Sequence, residues 1–380
     1  MPRVRALSTI LRYLGPWSQA TPPNISRRAV VLRPGAPSGR RADRLGREAG
    51  PRELATYLYE PNGVPLGAYL VVPGLHFEGP DDPRLDRVCR VLAAAGFVVV
   101  APRLPAFLDL RVAPSVVDDL LQVGQAIARW LPHAERFTVL SISFGSWPAL
   151  SFAARLPQSV DAVICFGGYA DLTSAMRYSL TGRLRLDGRE LSGSRDPLNV
   201  AALFLNLLPF VDHPQAADPR LERALRELCY QTWGHAELKQ PGRLLPFAKR
   251  VAEELPAELR ELFLVCAGVQ GGTDALAAAA LEHALHGLSF AEPGPAIEAA
   301  SRPVVLCHGR DDDVIPFTEA IELERRLSPH VPTRLLLTGL YGHTGTSNIA
   351  PGQLLREGRT LLTIARTLAA GGRVSRLLDS

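Results

Sequence analysis

The chain has 380 residues, 47% of them hydrophobic and 21% charged, with a net charge of +4. That length supports a large buried core and exceeds one average domain, so one domain with a sizeable insertion is the expected organisation. Residues 1–60 hold eleven arginines against four acids and leave the rest of the chain at about −3, so nothing in the body points to a nucleic-acid-binding face. Five cysteines (Cys89, Cys165, Cys229, Cys266, Cys307) are scattered and form no C-x-x-C pair. Three of them sit in apolar strands or helices and read as small buried hydrophobes, and a reducing, cytoplasmic setting fits best. No run approaches the roughly 18 apolar residues of a membrane span. Lysine occurs only at Lys239 and Lys249, which reads as coding bias.

The N-terminus, Met1 to Arg12, reads as a short amphipathic helix. The Arg-, Pro- and Gly-rich stretch after it, residues 20–51, has little periodicity, so residues 1–51 are expected to be a basic, partly disordered leader. Order should begin with a strand at 53–60, followed by the turn signal Asn62-Gly63 and a second strand at 67–74, together a hairpin. A helix is predicted over 84–95, a strand over Phe97–Ala101 and a helix over 115–131. The stretch Phe137-Thr-Val-Leu-Ser-Ile-Ser143-Phe-Gly145-Ser-Trp-Pro-Ala-Leu150 then passes from an apolar, β-rich run to a helix start. A further strand is expected at 161–166, and the alternation resumes at 302–307, with a helix near 318–327, a strand at 333–338 and a last helix at 353–369. Apolar strands separated by helices imply a mostly parallel sheet covered on both faces.

Between the strands at 161–166 and 303–307 lie some 130 residues with no clear strand. Asp196-Pro197 and Asp218-Pro219 each offer an N-cap with proline at the first helical position, and Pro256 begins another helix. This region is too long for a loop and reads as a helical insertion. No internal repeat is found.

Ser143 stands at the strand-to-helix junction within Ser-x-Ser-x-Gly. A sharp turn there lifts a hydroxyl out of the sheet and aims backbone N–H groups at whatever it attacks, as in the nucleophile elbow written G-x-S-x-G. Ser141 replaces the first glycine, a position that needs something small, and Gly145 is present where the backbone must pass close. A serine nucleophile needs a base, an acid to orient it and oxyanion donors. The strand at 303–307 is followed by His308-Gly-Arg-Asp-Asp312-Asp-Val-Ile-Pro316, and the strand at 333–338 by Gly339-Leu-Tyr-Gly342-His343. Strand ends on one edge of a parallel sheet converge, and the order is Ser…Asp…His.

On these residues the chain resembles the α/β-hydrolase superfamily over about 53–370, with a helical cap inserted after the sixth strand. The resemblance implies a core of residues 52–168 and 301–380 and a cap of 169–300. The family's acid motif maps onto Gly309, Asp312 and Ile315-Pro316, its Gly-His motif onto Gly342-His343, and its oxyanion loop onto Pro73-Gly74-Leu75. Ser141 and Pro73 depart from the pattern without removing a catalytic group. By resemblance, Ser143 attacks an acyl carbonyl, His343 is the base, and Asp312 fixes the imidazole, while the N–H groups of Leu75 and Phe144 hold the oxyanion. The implied activity is hydrolysis of a small-molecule carboxylic ester or thioester with neither metal nor organic cofactor. The stretch 196–211 reads as a helix apolar almost all round, which either only packs the cap onto the body or lines a pocket for an apolar acyl chain. Acyl transfer, or a silent hydrolase-fold binding protein, stays open. Asp171 competes with Asp312 for the acid role, and Asp311 and Asp313 read as solvated neighbours. His76 and His308, near strand ends, could line the pocket but suit structural roles better. His283 and His286, at i and i+3, lack partners for a metal site.

Overall fold

The computed structural model describes residues 2–15, 18–33, 41–42, 48–49, 52–131, 136–339, 354–371 and 373–374. Eight strands form one sheet: β1 (Ser26–Leu32), β2 (Leu54–Glu60), β3 (Ala68–Val72), β4 (Val98–Pro102), β5 (Phe137–Ile142), β6 (Val160–Phe166), β7 (Val304–Gly309) and β8 (Thr333–Thr338). Their spatial order is β1-β2-β4-β3-β5-β6-β7-β8. Only β2 runs antiparallel to its neighbours; every other pairing is parallel. All five residues of β3 and of β4 are buried, as continuous apolar runs in a doubly covered sheet require.

Helices cover both faces. One face packs against α1 (Pro2–Leu14), α2 (Pro83–Ala94) and α13 (Leu354–Ala370), joining Ile10 and Leu92 to Tyr69, Val71, Ile164 and Ile364. The Tyr69 hydroxyl ties this layer down by donating to the carbonyl of Leu368 at 2.7 Å. The opposite face packs against α3 (Ser115–Trp130), α4 (Ser146–Arg155) and α12 (Phe317–Leu327), and its core continues into the insertion.

Two expectations are corrected. Residues 26–32, assigned to an irregular leader, form the edge strand β1, paired with β2 throughout. Its side chains are mostly exposed, so it has no apolar alternation to read. Arg27 holds the strand instead, stacking 3.7 Å above the Tyr57 ring and pairing with Asp81 and Asp86. The strands at 53–60 and 67–74 are not a hairpin either, because β4 lies between them. Residues 61–67 are too long for a two-residue turn, and β4 supplies a fully apolar strand that pairs on both sides.

Between β6 and β7 the chain forms α5 (Leu172–Thr181), α6 (Val200–Leu207), α7 (Pro219–Thr232), α8 (Leu245–Glu253), α9 (Ala257–Cys266), α10 (Thr273–Gly287) and α11 (Gly294–Glu298). A small hairpin, Arg183–Leu186 with Arg189–Ser192, interrupts the helices where no strand was expected. Its turn is Asp187-Gly188, both at positive φ (+48° and +76°), a legible two-residue hairpin signal. The expected N-caps hold: Asp196 accepts from Leu198 N–H and Asp218 from Arg220 N–H. Among the described residues no helix is long and apolar enough to cross a membrane.

Two carboxylates pin the start of the insertion, the buried Glu319 from α12 and the half-buried Glu292 from the insertion's own far end. Glu319, at the start of α12, accepts from the backbone N–H groups of Ala170 and Asp171 at 3.1 and 3.0 Å. At the far end, Glu292 accepts from Leu172 N–H at 3.1 Å. Burial raises the Glu319 pKa against the hydrogen bonds it receives. An acid whose pKa is raised by folding stabilises the fold fully while it is protonated and loses that contribution as pH rises through the folded pKa. Glu319→Gln keeps an acceptor and removes the buried charge. It is expected to raise the melting temperature by a few degrees at about pH 8, with the gap narrowing as the pH falls into the carboxylate range. Melting curves across pH check this, and a gap that widens on acidification would contradict it.

Candidate active site

The end of β5 makes an abrupt turn. Ile142 is extended, Ser143 is left-handed at φ +53°, and residues 143–145 make a single 3-10 turn into α4. A non-glycine residue held left-handed costs on the order of 1–3 kcal/mol, so the surroundings must hold it there. They do so by contact with the loop after β3. A Cβ on Gly145 would stand 2.5 Å from the Pro73 carbonyl oxygen, and one on Gly74 would stand 3.3 Å from Ser143 Cβ. Gly145 is therefore required where the sequence reading places it. Leu75 follows Gly74 and Phe144 follows Ser143, so both expected oxyanion donors belong to the two segments that meet here.

Ser143 is 6% exposed. The flanking serines are otherwise occupied. Ser141 is fully buried within the sheet, in register with Val72 and Cys165, which is why a small side chain suffices there. Ser146 Oγ accepts from Tyr169 N–H at 3.4 Å. Aromatic rings crowd the turn: Phe144 packs on Tyr169, and Trp147 on Phe290 of the insertion.

Register brings the other loops to the same edge. Ile142 lies level with Phe166, and Phe166 with Cys307; Gly309 lies level with Thr338. With β6 alone between them, β5 and β7 end about 10 Å apart. Asp312, in the loop after β7, is 5% exposed. Its Oδ1 accepts from the N–H groups of Val314 and Ile315 at 2.9 and 2.8 Å. Its Oδ2 lies 3.5 Å from Nε2 of His308, which donates to the Ile315 carbonyl at 2.9 Å. His308 thus braces the acid loop. Asp311 is exposed. Asp171 is the N-cap of α5, accepting from Ser174 N–H at 2.7 Å. His343 lies outside the described residues. At the end of β8, the Thr338 hydroxyl and the Gly339 N–H both donate to the buried Glu357 of α13.

His76 stacks on Phe77 and faces Trp233 of the insertion. Burial lowers its pKa to about 4 against the pull of Asp82. Single ligand atoms of His76, Glu78 and Asp82 lie within 4.8 Å of one another, yet Asp82 caps α2 and is paired with Arg84 at 2.5 Å. A cation there would compete with that arginine. His283 and His286 lie on the exposed side of α10.

No family model matches the chain, and no curated protein matches it. Solved structures do. An acylaminoacyl peptidase of Pyrococcus horikoshii is 13% identical at a TM-score of 0.44, over 92% of this chain and 41% of its own. The chain thus spans about two fifths of that protein. A dienelactone hydrolase of Anabaena variabilis is 14% identical at a TM-score of 0.43, over 91% and 95% of the two chains. An esterase of Pyrococcus furiosus is 10% identical at 0.46, over 90% of each. The mostly parallel eight-stranded sheet, with helices on both faces and a left-handed serine between β5 and α4, decides the architecture. The chain has the α/β-hydrolase fold.

Within this α/β-hydrolase fold, sequence reading missed Glu319, Glu292 and Glu357, because nothing in a single acid's context tells a buried backbone acceptor from a surface charge. It also missed Lys239, whose rarity was the available signal. The left-handed strain at Ser143 is directly testable. Ser143→Gly should be more stable than Ser143→Ala by about 1 kcal/mol, because glycine relieves the backbone cost and alanine does not. Denaturant titration of the two variants measures it; equal midpoints would contradict a strained turn.

Proposed function

We propose that the chain is a serine hydrolase that cleaves a small carboxylic ester or thioester through an acyl-enzyme. The observation that carries the reading is the buried, left-handed Ser143 packed against Gly74 at the turn into α4. Ser143 Oγ attacks the acyl carbon while His343 takes its proton. His343 then returns that proton to the departing alcohol or thiol. Water, deprotonated by the same imidazole, attacks the acyl carbon and restores Ser143. Asp312 orients the imidazole and stabilises its protonated form. The backbone N–H groups of Leu75 and Phe144 stabilise the oxyanion, each contributing about 3 kcal/mol. Neither a metal nor an organic cofactor takes part.

Asp312 suits the acid role better than Asp171, since Asp171 is committed to capping α5. The insertion acts as a cap over Ser143, entering and leaving beside the same sheet edge. The rings of Phe144, Trp147, Tyr169 and Phe290 favour an apolar acyl group over a charged one. All eight residues of α6 are buried, so that helix serves to pack the cap. Five buried free thiols fit a reducing, cytoplasmic compartment.

Turnover of p-nitrophenyl esters from acetate to decanoate tests the reading. Ser143→Ala and His343→Ala should each lower kcat at least about a thousandfold, with Asp312→Asn next in severity. Asp171→Asn, which keeps a side-chain oxygen to cap α5, should stay within about threefold of wild type. Full activity in Ser143→Ala would overturn the mechanism. A profile flat in chain length would remove the apolar acyl group, and an Asp171→Asn loss larger than that of Asp312→Asn would exchange the acids.

A further inference from the structure

We infer that Lys239 is a positioning residue: its ammonium, shared between Asp196 of the insertion and Asp313 of the acid loop, holds Asp312 where it orients the base. The inference rests on the Ser143, His343 and Asp312 reading above.

Two consecutive residues of the acid loop, Asp313 and Val314, are held from the insertion through their main chain. The Tyr178 hydroxyl, whose nearer acceptor is the Ser194 carbonyl at 2.6 Å, lies 2.9 Å from the carbonyl oxygen of Asp312. That of Asp313 accepts from Asp196 N–H at 2.8 Å. That of Val314 accepts from the Ser179 hydroxyl. Burial, and then the negative field of Asp312, Asp313 and Asp311, push the Tyr178 phenol up to about 12, so it remains a donor.

Those contacts fix the backbone and leave the charge problem untouched. Residues 311–313 are three carboxylates in a row, and like charges at such spacing repel. Lys239 Nζ lies 2.6 Å from Asp313 Oδ2 and 2.7 Å from Asp196 Oδ2. Asp196 is 3% exposed and caps the following turn with its other oxygen. The cation therefore offsets the charge beside Asp312 and ties the loop to an anchor that cannot swing. Burial works against the ammonium, but the two carboxylates outweigh it and raise its pKa, so the link is charged throughout the neutral range. In a chain with forty arginines and two lysines, a lysine stands where one compact charge must reach two carboxylates. An arginine fork would favour a single carboxylate held bidentately.

The test is steady-state turnover of p-nitrophenyl butyrate by the full chain. Lys239→Met should lower kcat tenfold to about a hundredfold, the effect of displacing a reacting geometry by about 1 Å. KM should stay within about twofold, because the lysine touches no substrate. Lys239→Arg keeps the charge but favours a single carboxylate, so its kcat should fall between those of Lys239→Met and wild type. Asp313→Asn should lower kcat similarly, and the Lys239→Met/Asp313→Asn double variant should be no worse than Lys239→Met alone. Lys249→Met, at an exposed site on α8, should match wild type. If Lys239→Met does not fold, Asp313→Asn carries the test. Wild-type kcat in Asp313→Asn or in folded Lys239→Met, a loss confined to KM, or additive losses in the double variant would overturn the inference. None of these outcomes bears on whether Ser143 is the nucleophile, which Ser143→Ala reports independently.

Discussion

The close approach of Gly145 to the carbonyl oxygen of Pro73 is the constraint on which the site depends. It forces the loop after β3 against the turn after β5, two strands that pair side by side in the sheet. The turn must then pass within a few ångströms of Gly74, which a left-handed Ser143 accomplishes. The strain is small beside what holds it. Each fully buried Val or Leu of β3 and β5 contributes roughly 1.5–3 kcal/mol, and both strands are buried nearly throughout. The sheet core thus presses a side chain into a geometry that a free peptide would avoid.

The edge that carries Ser143 also receives the insertion, and the two are joined by charged and polar groups largely withdrawn from water. Glu319 and Glu292 accept backbone N–H groups where the insertion begins, and Lys239 joins it to the acid loop. A buried carboxylate receiving two amides or an ammonium is tightly placed, because leaving any partner unpaired costs more than the bond itself contributes. The insertion is therefore held at defined points beside the strand ends, while its helices pack through a continuous apolar core.

Much of this was legible in the sequence. The strands β3 to β8 were readable because apolar β-rich runs bounded by turns have few alternatives, and Gly145 was readable because the elbow demands closeness there. Asp312 could be singled out from its acidic neighbours only by resemblance. The edge strand β1 was not legible, since Arg27 and Arg28 replace alternation with ion pairs and ring stacking. The Asn62-Gly63 signal misled because turn chemistry is local, whereas the insertion of β4 between β2 and β3 is decided by long-range pairing. Lys239 was passed over as coding bias, because a single cation shows its partners only in three dimensions.

The most direct measurement is to map a fluorophosphonate adduct by peptide mass spectrometry. The account predicts one adduct per chain, on Ser143, with Ser141 and Ser146 unmodified because one is sealed in the sheet and the other bonded to Tyr169. An adduct on any other serine, or ester turnover by a protein that takes up no adduct, would contradict it.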